Sequence, residues 1–412
     1  MSVYTALVTG ANSGLGYSTC CRLIDEFLST RPASQSLHLI FTTRDAPKST
    51  ATLRRLQSHL SRTIRSVYGS AASTQPIRTL HEARITLEGE TLDLCKLATV
   101  KACARRLVER GLKIDVVVLN AGIGGWTGMD WPLAIWSVLS HPLEGTTFPC
   151  FKLGDRGKLC KPQRGPGEPA LGEVFAANVF GHYLLCHWLG DVLRGGRVVW
   201  TSSVEVFTHS FEVGDVQGLG TDAAYDSSKR LTEILALTSG EEECKRWVER
   251  WFPGEHRPEQ YLAHPGVCLT PISGIPLVMT WLQLIAFYIV RWIGSPWHPI
   301  EPYKGAVSAV WLALASKETL EKLEGAEGKA KWGAATDRFG GERVVRTEVD
   351  GWGWGGKKGD ASDKTWRLKQ RWWRPEVVRK EDSADEFRRL GAEAWKEMEE
   401  LRVTWEEILK DV

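Results

Sequence analysis

No two of the nine cysteines stand at Cys-x-x-Cys spacing. The chain therefore lacks the ligand pattern of a structural zinc site and that of a dithiol redox centre. Free thiols in a reducing compartment are the simplest expectation. No run of lysine and arginine is long enough to form a basic arm, and the formal net charge is only +2. Nothing here asks for nucleic acid. A basic leader followed by an apolar core is also missing, and the first residues are expected to belong to the fold.

Charge is absent altogether from Pro271 to Val290, where Arg291 closes the run. Such a run is long enough to reach across a bilayer. However, Pro271, Gly274 and Pro276 interrupt its start, and the cleaner helical part, 277–290, is short for a span. The expectation is a helix lying in a membrane interface, with a buried substrate lid as its main competitor and a true span behind both.

What is present is a globular composition: 412 residues, 43% hydrophobic and 25% charged. That length is ample for one large α/β domain with additions. The 19 tryptophans are unusual, and many fall in the second half. They suit a broad apolar surface or a lipid interface. Short β-branched runs at 3–8, 37–43, 115–120, 197–201 and 260–264, with a weaker one at 85–92, read as strands. Helical patterns at 15–28, 100–110, 172–194 and 225–238 alternate with them. This rhythm predicts a Rossmann-type, doubly wound parallel sheet over residues 1–270.

Three stretches break the rhythm. Residues 123–171 form a long Gly/Pro-rich insertion after the fourth strand, a length that is usually functional or disordered. Residues 271–315 carry the apolar segment. Residues 316–412 form a C-terminal extension, of which 316–380 is expected to be largely an exposed loop around the Gly/Trp run at 351–359. Beyond it, Ser383 with Glu386 makes a capping-box pattern. Phe387, Leu390, Ala394, Met398, Leu401, Trp405 and Ile408 then recur at helical spacing.

The chemistry begins at Thr9-Gly10-Ala11-Asn12-Ser13-Gly14-Leu15-Gly16, between the first strand and the first helix. Glycines there let the backbone turn sharply and approach a pyrophosphate, and the helix N-terminus offers free N–H groups and positive potential. Gly10, Asn12, Ser13, Gly14, Leu15 and Gly16 are the candidate dinucleotide contacts. Further motifs follow in order: Asn120-Ala121-Gly122, Asn178 in a helix, Ser202 and Ser203 after a strand, Tyr225-Asp226-Ser227-Ser228-Lys229, and Pro265-Gly266-Val267-Cys268-Leu269-Thr270.

In spacing and order these motifs resemble the short-chain dehydrogenase/reductase superfamily. The resemblance implies that Asn120 supports the sheet beside the cofactor, that Val267 and Thr270 meet the nicotinamide amide, and that Asp93 contacts adenine. It also implies a catalytic group of Tyr225, Lys229, a serine and Asn178, the last keeping a water in line with Lys229. Tyr225 and Lys229 are four residues apart and share a helix face. A phenol has an unperturbed pKa of about 10, and a nearby ammonium favours its ionised form. Ser203, last of the pair, is favoured over Ser202 for positioning the substrate oxygen. The stretch from Ser203 to Tyr225 is longer than is usual in the family. At the tip of the second strand, Thr42-Thr43-Arg44 carries no acid. Arg44, helped by Thr43 and Lys48, suits a 2′-phosphate, so the expected cofactor is NADP(H).

Within the superfamily, Gly128-Met129-Asp130-Trp131, Asn178-Val179-Phe180-Gly181-His182, Tyr225 to Leu231, and Gly294-Ser295-Pro296-Trp297-His298 with Tyr303-Lys304 resemble the 3-keto-steroid reductases of sterol biosynthesis. The similarity is expected to run from about residue 3 to about 350. It implies NADPH-dependent reduction of a 3-ketosterol to the 3β-alcohol during sterol C4-demethylation. It also implies an enzyme at the cytosolic face of the endoplasmic reticulum membrane, or on lipid droplets, among other sterol-biosynthesis enzymes. A reductase of another apolar ketone, retinoid or acyl, and an NADP(H)-binding scaffold of such a complex remain open as alternatives.

Overall fold

A computed structural model describes residues 2–162, 165, 168–204, 206, 210–270, 272, 277–354 and 384–412. Its main sheet has eight strands. In chain order the strands are β1 (Ser2–Val8), β2 (Gln35–Thr43), β3 (Ile85–Thr91), β4 (Val116–Leu119), β5 (Trp126–Met129), β6 (Lys152–Gly154), β7 (Arg197–Thr201), β8 (Glu259–His264), β9 (Lys331–Thr336) and β10 (Glu342–Thr347). The sheet runs β10-β9-β8-β7-β4-β1-β2-β3. All pairings are parallel except that of β10 with β9. β5 and β6 form a separate antiparallel hairpin inside the insertion.

The central strands β1 and β4 are near-continuous apolar runs because both faces are covered. Ala6, Leu7, Val8 and Val116 to Val118 have no solvent exposure. One face carries the helices Leu97–Glu109, Gly181–Leu189 and Ala224–Thr238, the other Gly14–Thr30, Ala46–Tyr68 and Val307–Leu314. Chain order reverses between β1 and β4. In doubly wound sheets the crevice for ligands opens at the carboxyl ends of the strands at such a switch point. The Gly-rich turn and Asn120 sit there.

The C-terminal helix Ala384–Ile408 packs on Ala224–Thr238 and Glu242–Trp251. Phe387, Ala394, Met398 and Trp405 enter the core, with Leu390, Leu401 and Ile408 partly buried beside them. The helical spacing thus marks a core face. The cap expected at Ser383 and most of the Gly/Trp run lie outside the described residues.

One expectation is corrected. Residues 316–354 are not an exposed loop: Lys317–Glu327 is helical, and β9 and β10 extend the main sheet across the boundary expected at 270. β9 was unreadable because Lys331 at its head is a charged residue, yet every residue of the strand is buried. Leu277–Trp292 buries Phe287 and Val290 but exposes Trp281, Leu282, Ile285, Ile289 and Trp292. Among the described residues no helix is long and apolar enough to cross a membrane.

Candidate active site

The helix Gly14–Thr30 begins within the Gly-rich turn, with Ser13 at its N-cap. Its first N–H groups have no intrahelical partner by construction and point into the crevice above β1 and β4. Two glycines are required sterically. Gly10 has φ +71°. A Cβ on Gly16 would lie 2.3 Å from the Gly10 carbonyl oxygen and 2.4 Å from Asn120 Nδ2. Asn120 closes this turn by donating from Nδ2 to the Thr9 carbonyl at 3.0 Å. Thr9 Oγ1 accepts the N–H groups of Asn120 at 2.9 Å and Ala121 at 3.0 Å. The cradle left by the glycines and the helix terminus fits a dinucleotide pyrophosphate.

At the tip of β2, Arg44 is exposed. Thr43 and Lys48 both engage Asp45. Thr43 is buried and donates its hydroxyl to the Asp45 carbonyl at 2.9 Å. Lys48 Nζ pairs with Asp45 Oδ2 at 2.6 Å. Asp45 itself caps Ala46–Tyr68, accepting the Lys48 N–H at 2.9 Å. Its carboxylate is thus committed to the helix, which leaves Arg44 as the group best placed for a 2′-phosphate. Asp93 also makes a turn contact, with Oδ1 accepting the Cys95 N–H at 3.1 Å.

Tyr225 and Lys229 stand in the first turns of Ala224–Thr238. Lys229 is buried, and its Nζ donates to the Thr201 carbonyl at the end of β7 at 2.8 Å. The same ammonium lies 5.7 Å from the Tyr225 ring centre. Burial, reinforced by the Lys331 ammonium, pushes Lys229 down from 10.5 to about 8. A lysine in that range both holds charge and releases a proton at working pH.

The two serines are separated by the structure. Ser202 is buried, and its hydroxyl donates to Glu233 Oε1 at 3.3 Å, under the helix. Ser203 is half-buried at the mouth of the same strand end. The buried hydroxyl of Ser202 is thus tied to Glu233 beneath the helix, while Ser203, favoured from the sequence, stands beyond the end of β7.

Asn178 lies in a single π-helical turn, Ala176–Phe180, continuous with Gly181–Leu189. Such turns often mark functional positions. Its Oδ1 accepts the Ile123 N–H at 2.8 Å, and its Nδ2 donates to the Ile123 carbonyl at 3.1 Å and to Ser228 Oγ at 2.9 Å. One amide thus ties the Asn120 turn to the residue before Lys229. His182 is fully buried, and that burial pushes it down to about 3, so it is neutral. Nδ1–H then faces the Asn178 carbonyl at 3.3 Å, and Nε2 accepts from Thr9 Oγ1 at 2.9 Å.

The sequence missed four residues at this site. Trp126, on β5, sits 5.0 Å from the Tyr225 ring. Lys152, on β6, lies 4.2 Å from the Trp126 ring centre and 5.9 Å from that of Tyr225. Glu233 and Lys331 form an ion pair beneath Ser202. The position of Trp126 directly after Asn120 to Gly125 was the only available signal for the first pair. Val267 is held by the Gly294–His298 motif, its N–H donating to the Trp297 carbonyl at 2.6 Å. Thr270 follows on the same half-buried loop.

No family model matches the chain. It is 42% identical to a 3-keto-steroid reductase of Aspergillus fumigatus, over 98% of this chain and 94% of that protein. It is 38% identical to a 3-keto-steroid reductase of Gibberella zeae, over 98% and 94%. A 3-keto-steroid reductase of Schizosaccharomyces pombe is 34% identical over 84% of this chain and 90% of its own length. The resemblance to the first two runs well past residue 350, where it was expected to stop.

Proposed function

Since the chain belongs to the 3-keto-steroid reductase family, we propose that it reduces a 3-ketosterol to the 3β-hydroxysterol with NADPH, during removal of the sterol C4 methyl groups. The observation that carries this reading is the buried Lys229 ammonium, fixed by Thr201 and set 5.7 Å from the Tyr225 ring.

The Gly10–Gly16 turn, Asn120, Asp93, Arg44, Lys229, Val267 and Thr270 are the residues that would hold the dinucleotide. When bound, it supplies the hydride for the carbonyl carbon. The chain's own residues do the rest. Ser203 donates a hydrogen bond to the ketone oxygen and fixes its position. Tyr225 gives its phenolic proton to that oxygen as the alcohol forms. The phenolate left behind is stabilised by the Lys229 ammonium, which is acidic enough to return a proton to it. Asn178 keeps the Asn120 turn and the Lys229 helix in register, so its part in the proton relay is to hold the geometry.

A sterol is rigid and apolar and resides in membrane. The exposed Trp281, Leu282, Ile285, Ile289 and Trp292 face supports docking of this chain on a bilayer surface. That helix contacts Pro142–Thr147, which packs on Trp131–Ser140. The latter helix exposes Ile135, Trp136 and Leu139 as well. The proposed location is the cytosolic face of the endoplasmic reticulum membrane or the lipid-droplet surface, beside other sterol-biosynthesis enzymes.

The test is NADPH oxidation by the full chain with a panel of 3-ketosterols, run beside retinoid and acyl ketones and with NADH in parallel. Turnover of 3-ketosterols with a clear preference for NADPH is expected. Turnover of only the other ketones, or of none, refutes the reading.

A further inference from the structure

Beneath Tyr225 and Lys229 lies a buried cluster of charge that the reduction as written does not use. Glu233 is one helical turn beyond Lys229 and 1% exposed. Its carboxylate accepts the Ser202 hydroxyl at 3.3 Å, the Arg230 guanidinium at 3.2 Å and the Lys331 ammonium. Lys331 is 3% exposed and stands at the head of β9.

Strand register brings it there. Lys331 pairs with Leu262 of β8, and Leu262 pairs with Trp200 of β7, the residue before Thr201. Adjacent strands lie about 5 Å apart, so the two backbones are about 10 Å apart. The Lys331 side chain covers much of that span by reaching Glu233, on the helix that packs on β7 and β8. Two buried cations, Arg230 and Lys331, thus share one carboxylate, which also accepts from Ser202, next to the Thr201 carbonyl that holds Lys229. Stability is a weak reason for the arrangement, because desolvating an ion pair consumes most of what its attraction returns.

We propose that Lys331 is a positioning residue of the reductase site: anchored by Glu233, it sets a second positive charge behind Lys229 and makes Lys229 the readier proton donor to Tyr225. This rests on the roles given above to Tyr225 and Lys229. The proton balance is simple. The Tyr225 O–H bond breaks as the substrate O–H forms, and a Lys229 N–H proton then passes to the phenolate. Lys229 is re-protonated from solvent.

The groups that bear on Lys229 are Tyr225 on its own helix, His182 on Gly181–Leu189 and Lys331 on β9; Glu233, also on that helix, pairs with Arg230 and Lys331. His182 is neutral in its buried setting. Arg230 is engaged with Glu233 and the Asp350 carbonyl. Lys331 is the charged neighbour that adds to burial in favouring the neutral form of Lys229.

The experiment measures single-turnover reduction of a 3-ketosterol by the full chain against pH. In Lys331→Met the alkaline limb of the profile moves up by about one pH unit, because the repelling charge is gone. Lys331→Arg keeps the charge and the wild-type profile. If Lys331→Met folds poorly, Lys331→Gln removes the same charge while keeping an amide N–H for Glu233, and it moves the limb in the same direction. Tyr225→Phe is run alongside. Full activity in Tyr225→Phe overturns the catalytic reading itself. An inactive Tyr225→Phe together with an unmoved limb in both Lys331→Met and Lys331→Gln overturns the role of Lys331 alone.

Discussion

Gly16→Ala tests whether the turn after β1 is the dinucleotide cradle. The added Cβ would meet the Gly10 carbonyl oxygen at 2.3 Å and Asn120 Nδ2 at 2.4 Å. Non-bonded heavy atoms settle at about 3.5 Å or more, so the turn or the helix must give by about 1 Å. That shift takes Asn120 Nδ2 off the Thr9 carbonyl, 3.0 Å away in the wild type. A displacement of about 1 Å in a positioned site costs about 100-fold, which corresponds to about 2.7 kcal/mol in NADPH affinity. Alanine is the better helix former by up to about 1 kcal/mol, which offsets part of the strain and keeps the variant folded. The assay is an NADPH fluorescence titration, with far-UV circular dichroism as the check on folding. A folded variant that binds NADPH within a few-fold of wild type refutes the cradle.

Three further outcomes follow from the same geometry. Ser203→Ala lowers kcat by about 100-fold, whereas Ser202→Ala changes it little and costs about 1 kcal/mol of stability through the lost bond to Glu233; the reverse pattern in steady-state kinetics and urea unfolding reverses the assignment. Lys229 titrates at about 8 in the fold against 10.5 when unfolded. The unfolded chain therefore binds the extra proton between those values, and stability rises with pH across that window. The penalty, about 3 kcal/mol, is fully present below pH 8. Relative to Lys229→Met, wild type is disadvantaged at pH 7 and recovers by pH 10 in urea unfolding; a gap that does not change with pH contradicts this. Replacing Trp281, Ile285 and Ile289 together by glutamate releases the protein from membranes, and retention in the pellet after a carbonate wash counts against the docking face.

The parts of the fold legible in sequence were those that local pattern fixes. Buried strands such as 116–119 are unbroken apolar runs, and the glycines of the first turn sit where only glycine fits. The C-terminal helix announced itself by spacing because its buried face repeats every three or four residues. Ala46–Tyr68 did not, since it buries only Thr52, Leu56, Leu60 and Ile64 along its length. Tyr225 and Lys229 were legible because one helical turn holds them together. Lys331 was not, because strand register, and not sequence proximity, brings it to Glu233 beneath Ser202; Glu233, a lone acid one turn beyond Lys229, carried no signal of its buried partners. Trp126 and Lys152 reach Tyr225 only through the β5–β6 hairpin, whose pairing the sequence does not advertise. The partition of Ser202 and Ser203 likewise needed the position of Glu233.

The most direct test is a single-turnover comparison of wild type and Tyr225→Phe with saturating NADPH and a 3-ketosterol, with NADPH affinity measured on the same samples. The account predicts that 3β-alcohol formation falls by at least about 100-fold in the variant while NADPH binds as in wild type. Alcohol formed at the wild-type rate without the phenol would contradict it.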